Sequence, residues 1–327
     1  MKRRDFLTLA SGMAARPLAA RAQQKPMPVI GHIAEDINTI PGNERFLANV
    51  RMGLAEYGYV EGQNFRFEFR EAHLRTDLYP ALYRELVDQK VSVLIAKAAR
   101  KLEVAKAATQ SIPIIFLIGI DPVENGFVPS LNRPGGNITG VFNFNTTLPA
   151  KELQILHELV PSATKFAWLT DPANTTQTQL TTPHIQAAAD LLGVGLLNVY
   201  AHTKDDYEAA FDTAVSGGAG GMVVGGDGYF VAARILPAVA MRYRMPAIFS
   251  DDVPVKAGGR IAYGSDYPAQ FRNMGRYAAR MLKGEKPADT PVLQAAEFRL
   301  VVNLKSAATL GITVPAPLLA RADEVIE

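Results

Sequence analysis

Cysteine is absent from the 327 residues, so there is no disulfide, no thiolate nucleophile, no sulfur-ligated metal and no lipid-modified cysteine. Histidine is scarce as well, and His32, His73, His157, His184 and His202 never stand at a metal-ligand spacing. No G-x-G-x-x-G follows the first predicted strand, and there is no P-loop, no G-x-S-x-G elbow and no H-E-x-x-H helix. These absences count against an enzyme: no catalytic residue, cofactor or metal is expected. No stretch reaches the ~20 uninterrupted apolar residues of a membrane span, so direct membrane insertion is not expected. Neither sign of charge dominates. The formal charge is +2, and setting aside residues 1–22, with five basic side chains and one acidic, leaves −2. A chain so balanced has no electrostatic reason to seek nucleic acid or an anionic surface.

What is present is an ordinary globular composition, 48% hydrophobic and 20% charged, long enough for two domains. Residues 1–22 read as a signal peptide. Lys2-Arg3-Arg4 is a charged start, Phe6 to Ala15 a modest apolar stretch, and Ala20-Arg21-Ala22 offers the small residues that a signal peptidase requires. Arg3-Arg4-Asp5-Phe6-Leu7 also matches the twin-arginine pattern. Export to the periplasm follows, with a mature chain beginning at Gln23.

From Pro28 onward, short β-rich runs alternate with amphipathic segments of helical length. Strands are predicted at 29–33, 64–70, 91–96 and 112–120, with helices at 43–57, 78–89 and 102–109 between them. Dense turn residues at 121–122 and 132–137 mark a boundary. Beyond it a second series runs: helices at 153–160, 183–192, 205–215 and 232–243, and strands at 165–170, 194–200, 221–224 and 247–250. A helix over 268–282, a strand over 298–303 and a helix over 305–310 complete the two units. Such alternation predicts an α/β protein with two doubly wound parallel-sheet lobes.

Polar or turn-forming residues recur at the predicted C-terminal ends of the strands, where open α/β sheets bind ligands. Asp36 and Asn38 follow the first strand, Ala99 and Arg100 the third, Asp121 and Pro122 the fourth. In the second series Asn174, Asp227 and Asp251 hold the equivalent places. Phe144, Tyr263 and Asp266 are further candidates. These twelve are the candidate ligand-binding residues. The competing role for each Asp or Asn is to cap the following helix, and for each aromatic to pack in a hinge or core.

Ile112-Pro113-Ile114-Ile115-Phe116, then Asp121-Pro122-Val123, then Arg133-Pro134-Gly135-Gly136-Asn137-Ile138-Thr139-Gly140-Val141 form a series with a known counterpart. Gly53 to Gly62, Ala257-Gly258-Gly259 through Tyr263-Gly264, Gly284 to Pro287 and Asn303-Leu304-Lys305 extend it. Taken in order, they resemble the substrate-binding proteins of a bacterial ABC transporter family that includes tryptophan- and tyrosine-binding members. The resemblance implies a type I periplasmic-binding-protein fold, with three crossover segments and a ligand trapped between the lobes. It places lobe one at 28–141 plus 265–287 and lobe two at 142–264 plus 288–327. In relatives the loop after the third strand reads Gly, Thr or Ser, then Pro or Ala, and holds a ligand carboxylate. Here Ala98, Ala99 and Arg100 stand there, and a guanidinium suits bidentate carboxylate binding. Asp251-Asp252 replaces a basic–acidic combination. These departures imply an aromatic or other organic acid as readily as an amino acid.

The expected function is therefore capture of a small organic solute by hinge closure and its delivery to an inner-membrane ABC permease, by a protein acting as a monomer. A ligand-sensing protein of the same fold, acting in signalling, is the alternative. It needs a helix-turn-helix before the first strand, and residues 1–27 are too short and too signal-like to supply one.

Overall fold

The computed structural model describes residues 26–35, 41–73, 75–143, 145–226 and 234–327. Its strands form where apolar residues run consecutively, because helices cover both faces of each sheet. Chain order in the first unit is β1 (Val29–Ala34), α1 (Pro41–Ala55), β2 (Arg66–Glu71), α2 (Tyr79–Asp88), β3 (Val93–Lys97), α3 (Ala99–Ala108), β4 (Ile114–Ile118) and β5 (Ile138–Asn143). The second holds α4 (Leu148–Leu159), β6 (Lys165–Thr170), α5 (Thr175–Leu192), β7 (Gly195–Tyr200), α6 (Tyr207–Ser216), β8 (Met222–Val224), α7 (Leu236–Arg242), β9 (Ala247–Phe249), α8 (Asp252–Lys256) and β10 (Ile261–Ser265). The chain then returns through α9 (Tyr267–Leu282) and β11 (Leu293–Ala295), and ends in β12 (Phe298–Asn303), α10 (Leu304–Ala308), α11 (Ala316–Leu319) and β13 (Glu324–Ile326).

The strands form two sheets, ordered β11-β5-β4-β3-β1-β2 and β13-β12-β10-β9-β8-β6-β7. All pairings in the first are parallel, and in the second only β10 with β12 is antiparallel. The expected α/β architecture of two parallel-sheet lobes is what forms. The chain crosses between sheets three times, after β5, after β10 and after β11. One boundary needs correction. Residues 288–327 were all expected in lobe two, but Leu293 pairs with Val141 and Ala295 with Asn143, so β11 is an edge strand of lobe one. Its three residues are too few to carry a strand signal of their own.

Alternation along the strands sorts the cores. Val93 and Ile95 of β3 join Ile30, Phe46, Val50, Phe271 and Met274 beneath α1 and α9, while Leu94 and Ala96 join Tyr83, Leu86, Leu102 and Phe116 beneath α2 and α3. In lobe two, Phe166 and Trp168 face α4 and α5, and Ala167 and Leu169 face α6 and α7. The helix pair α1–α9 binds an early segment to a late one, backbone to backbone. A Cβ on Gly53 would lie 2.0 Å from the Arg272 carbonyl oxygen, and one on Gly275 would lie 2.1 Å from that of Val50. Only glycine fits at either position.

Candidate functional site

The ends of β4, β6, β8 and β9 come together beside the first crossing, where Asn145 lies against Gly119 and, with Ser250, against Gly226. Side chains at the crossings bond there: within lobe one the Asn143 amide donates to Gln270 Oε1 of α9 at 2.9 Å, and just past β5 the Asn145 amide donates to Tyr267 Oη at 3.0 Å. Farther out, Arg45 of α1 reaches from lobe one to lobe two, with Nη1 2.7 Å from Asp251 Oδ1 and Nη2 2.8 Å from Asp252 Oδ1. Both carboxylates are nearly buried, at 2% and 8% side-chain exposure. Burial pushes the Asp251 carboxyl up to about 6 against the opposing pull of Arg45. Arg45, Asp251, Asp252, Asp266 and Arg299 line one recess at this end of the cleft.

A second recess lies on the α4–α5 side of lobe two, lined by Asn145, Pro149, Trp168, Thr170, Thr178, Thr181, Gly225 and Gly226. Alternation in β6 delivers Thr170 to the same face as Trp168. The indole Nε1 of Trp168, the hydroxyl of Thr170 and Asn145 Oδ1 are buried without a hydrogen-bond partner. An uncharged donor, a hydroxyl and an acceptor thus converge where a partner would recover the cost of leaving them unmade. Ser250 joins the recesses, with its Oγ 3.6 Å from the Cβ position of Gly226.

Lobe one contributes a cation. Lys97, the last residue of β3, continues the Val93–Ile95 face. Its ammonium lies 5.0 Å from the ring centre of Phe46 and 5.6 Å from that of Phe271. Burial, reinforced by the neighbouring Lys101 charge, lowers its pKa to about 8. Lys101 itself is engaged, donating to Ile33 O at 2.9 Å and pairing with Glu35 at 2.7 Å. His32 packs 4.9 Å from Phe46 and donates from Nδ1 to Ile95 O; burial, then the charges of Lys101 and Lys97, hold it well below its usual pKa. Neutral His32 is a packed core residue.

The twelve sequence candidates fall into distinct groups. Asp36, Asn38, Phe144 and Asp227 lie outside the described residues. Asp251 and Asp266 share a recess, but both have structural duties: Asp251 Oδ1 accepts from the Val253 N–H at 2.8 Å, and Asp266 Oδ1 accepts from the Ala269 N–H at 3.0 Å. Asp121 Oδ1 accepts from the N–H groups of Val123 and Glu124 at an exposed turn. Pro122 is buried in that turn, and Asn174 is exposed at the start of α5. Tyr263 stacks on Phe298 at 5.9 Å and packs against the core beneath α4. Ala99 begins α3 and is partly exposed. Arg100, expected to meet a ligand acid, stands in the first turn of α3. Its side chain is 63% exposed and pairs with Glu103 one helical turn away. Lys97, three residues earlier, is partly buried against Phe46 and Phe271. The sequence reading also passed over Arg45, Asn145, Trp168 and Thr170. The single tryptophan, in a strand ending in threonine, was the available signal.

Comparison with known proteins gives this geometry a context. A curated tyrosine-binding protein from Clostridioides difficile is 27% identical over 252 residues, 76% of this chain and 72% of that protein. A Streptococcus pneumoniae domain solved in complex with L-Trp superposes with a TM-score of 0.79 at 23% identity, covering 91% of this chain and 99% of the other. A conserved domain protein from Vibrio cholerae gives 0.81 at 24%, covering 92% and 100%. The two structures share the fold. The model of the ABC transporter substrate-binding protein family matches residues 39–326, nearly the whole described chain, and the protein belongs to that family of solute-binding proteins, which are not enzymes.

Proposed function

We propose that this chain is the exported solute-binding component of an ABC importer. It captures a small organic solute, an amino acid or an aromatic or other organic acid, between its lobes by hinge closure, and presents it to an inner-membrane permease. It does so as a monomer, in the periplasm, without covalent chemistry. The observation that carries this reading is how the lobes meet: three narrow crossings and the polar Arg45–Asp251/Asp252 contact, with unpartnered polar groups facing the space between. Polar interfaces of that kind separate and re-form readily, as a hinge requires. The relatives named for tyrosine and solved with L-Trp support a small solute. Among the described residues no helix is long and apolar enough to cross a membrane.

The test is a thermal-shift screen of amino acids and organic acids, with small-angle scattering of any hit. A stabilising solute that also reduces the radius of gyration is the expected result; a screen in which nothing raises the melting temperature rejects capture. Export is tested separately, by N-terminal sequencing of protein from the cell envelope. A chain beginning at Gln23 is expected, and an intact Met1 there overturns it.

A further inference from the structure

The described acids and bases of the cleft do not balance. Among the described residues Glu35 serves Lys101 and accepts from Tyr79 Oη. Asp121 and Asp266 accept from backbone N–H groups. Asp251 and Asp252 serve Arg45, and Asp252 serves Lys256 as well. Lys97 alone among these bases makes no ion pair; the charge of Glu35, which is engaged by Lys101, reaches it only through space. It stays charged at neutral pH, between two phenyl rings that cannot neutralise it. An ammonium held against apolar surface without a counter-ion is costly, and that cost is recovered when an anion arrives. Its position connects to the cleft through Phe271, whose ring is 5.8 Å from that of Tyr267, and Tyr267 in turn contacts Asn145 of the second recess. At that far end the unpartnered groups are neutral: an indole N–H, a hydroxyl and an amide oxygen. They offer nothing to balance a second charge.

Resting on the solute-binding reading above, we infer that Lys97 selects the charge of the solute, and that the solute is an organic acid anion with no ammonium beside its carboxylate. Its other end carries an uncharged hydrogen-bonding group, such as a phenol or an indole N–H, that enters the recess at Trp168 and Thr170. A zwitterionic amino acid brings a positive charge next to a lysine that repels it, and the one described acid without a partner near the recess, Glu152 of α4, is held toward its uncharged form by burial. The same lysine attracts the deaminated analogue.

The experiment compares pairs that differ only in the amino group, by calorimetry and thermal shift: 3-(4-hydroxyphenyl)propanoate against L-tyrosine, and indole-3-propanoate against L-tryptophan. Wild type, Lys97→Met and Lys97→Arg are measured, with circular dichroism to confirm folding. The wild type is expected to bind an acid at least tenfold more tightly than its amino acid. Lys97→Met should lose at least tenfold for the acid, and Lys97→Arg should retain most of the affinity. Preference for the amino acids, or an unchanged affinity in a folded Lys97→Met, overturns the inference while leaving solute capture intact. Failure of all four solutes, and of the wider screen, instead rejects capture itself. The wild-type comparison stands even if a variant does not fold.

Discussion

Ala98 occupies a backbone conformation made for glycine, with φ 111° and ψ 149°. A Cβ in that region costs on the order of 1–3 kcal/mol, part of which is offset because alanine restricts the unfolded chain. Ala98→Gly is therefore expected to stabilise the protein by about 1 kcal/mol, measured by urea unfolding. The alanine keeps its place on the loop that positions Lys97 and opens α3, a helix whose N-terminus no side chain caps. Glu152 is a different anomaly. It is fully buried on α4, and both carboxylate oxygens lack partners, so burial drives its pKa well above the usual carboxylate range. The folded state then holds a proton that the unfolded state has released. Its contribution is complete below the ordinary carboxylate pKa and is lost as pH rises toward the raised one. Unfolding measured between about pH 5 and pH 8 should show wild type losing stability relative to Glu152→Gln, which has no proton to release; parallel profiles would place a partner on the carboxylate.

Elements were legible in the sequence to the extent that their residues face a core. β3, β4 and β6 read as continuous apolar runs because both of their faces are covered. α5 read correctly only from Pro183, while the helix begins at Thr175 and continues through that proline. Its first turns carry Thr178 and Thr181 toward the recess, so the apolar stripe that reveals a helix is missing where the helix meets the site. The same reason hid Lys97. In a run of Lys97, Arg100 and Lys101 the three charges look alike, and only strand alternation and helix phase decide that Lys97 and Lys101 go inward and Arg100 outward. The aspartates are ambiguous for another reason, because N-capping and ligand binding call for the same residue at the same end of a strand. Where α1 meets α9 the requirement is steric. Gly53→Ala or Gly275→Ala should each cost about 1–3 kcal/mol by denaturant titration, through forced separation of the helices. The double variant should cost less than the sum, since one crossing is disturbed twice.

For the whole molecule, the energetic question is what holds the lobes against each other without a solute. Arg45 stands between two buried carboxylates, and removing one member of a buried ion pair costs about 3–5 kcal/mol because the other is left uncompensated. That cost disappears if the lobes part and water reaches Asp251. Arg45→Ala is thus expected to enlarge the ligand-free radius of gyration in small-angle scattering and to weaken solute binding, while leaving each lobe folded. An unchanged radius would make the pair a local fixture of the β9–α8 loop.

The return of α9 and β11 to lobe one also sets a timetable for synthesis. Everything through Asn143 leaves the ribosome with one edge of its sheet bare and α1 without the helix that covers its glycine face. The missing pieces follow up to about 150 residues later, roughly 8–30 s at ordinary elongation rates. Lobe two is in the same position, since β12 and β13 are made after β11. Neither half can finish while the chain is still growing through its middle, so both are completed within a few dozen residues of each other. A nascent chain stalled before residue 293 should be cut freely by protease in both halves, and one released at full length should resist.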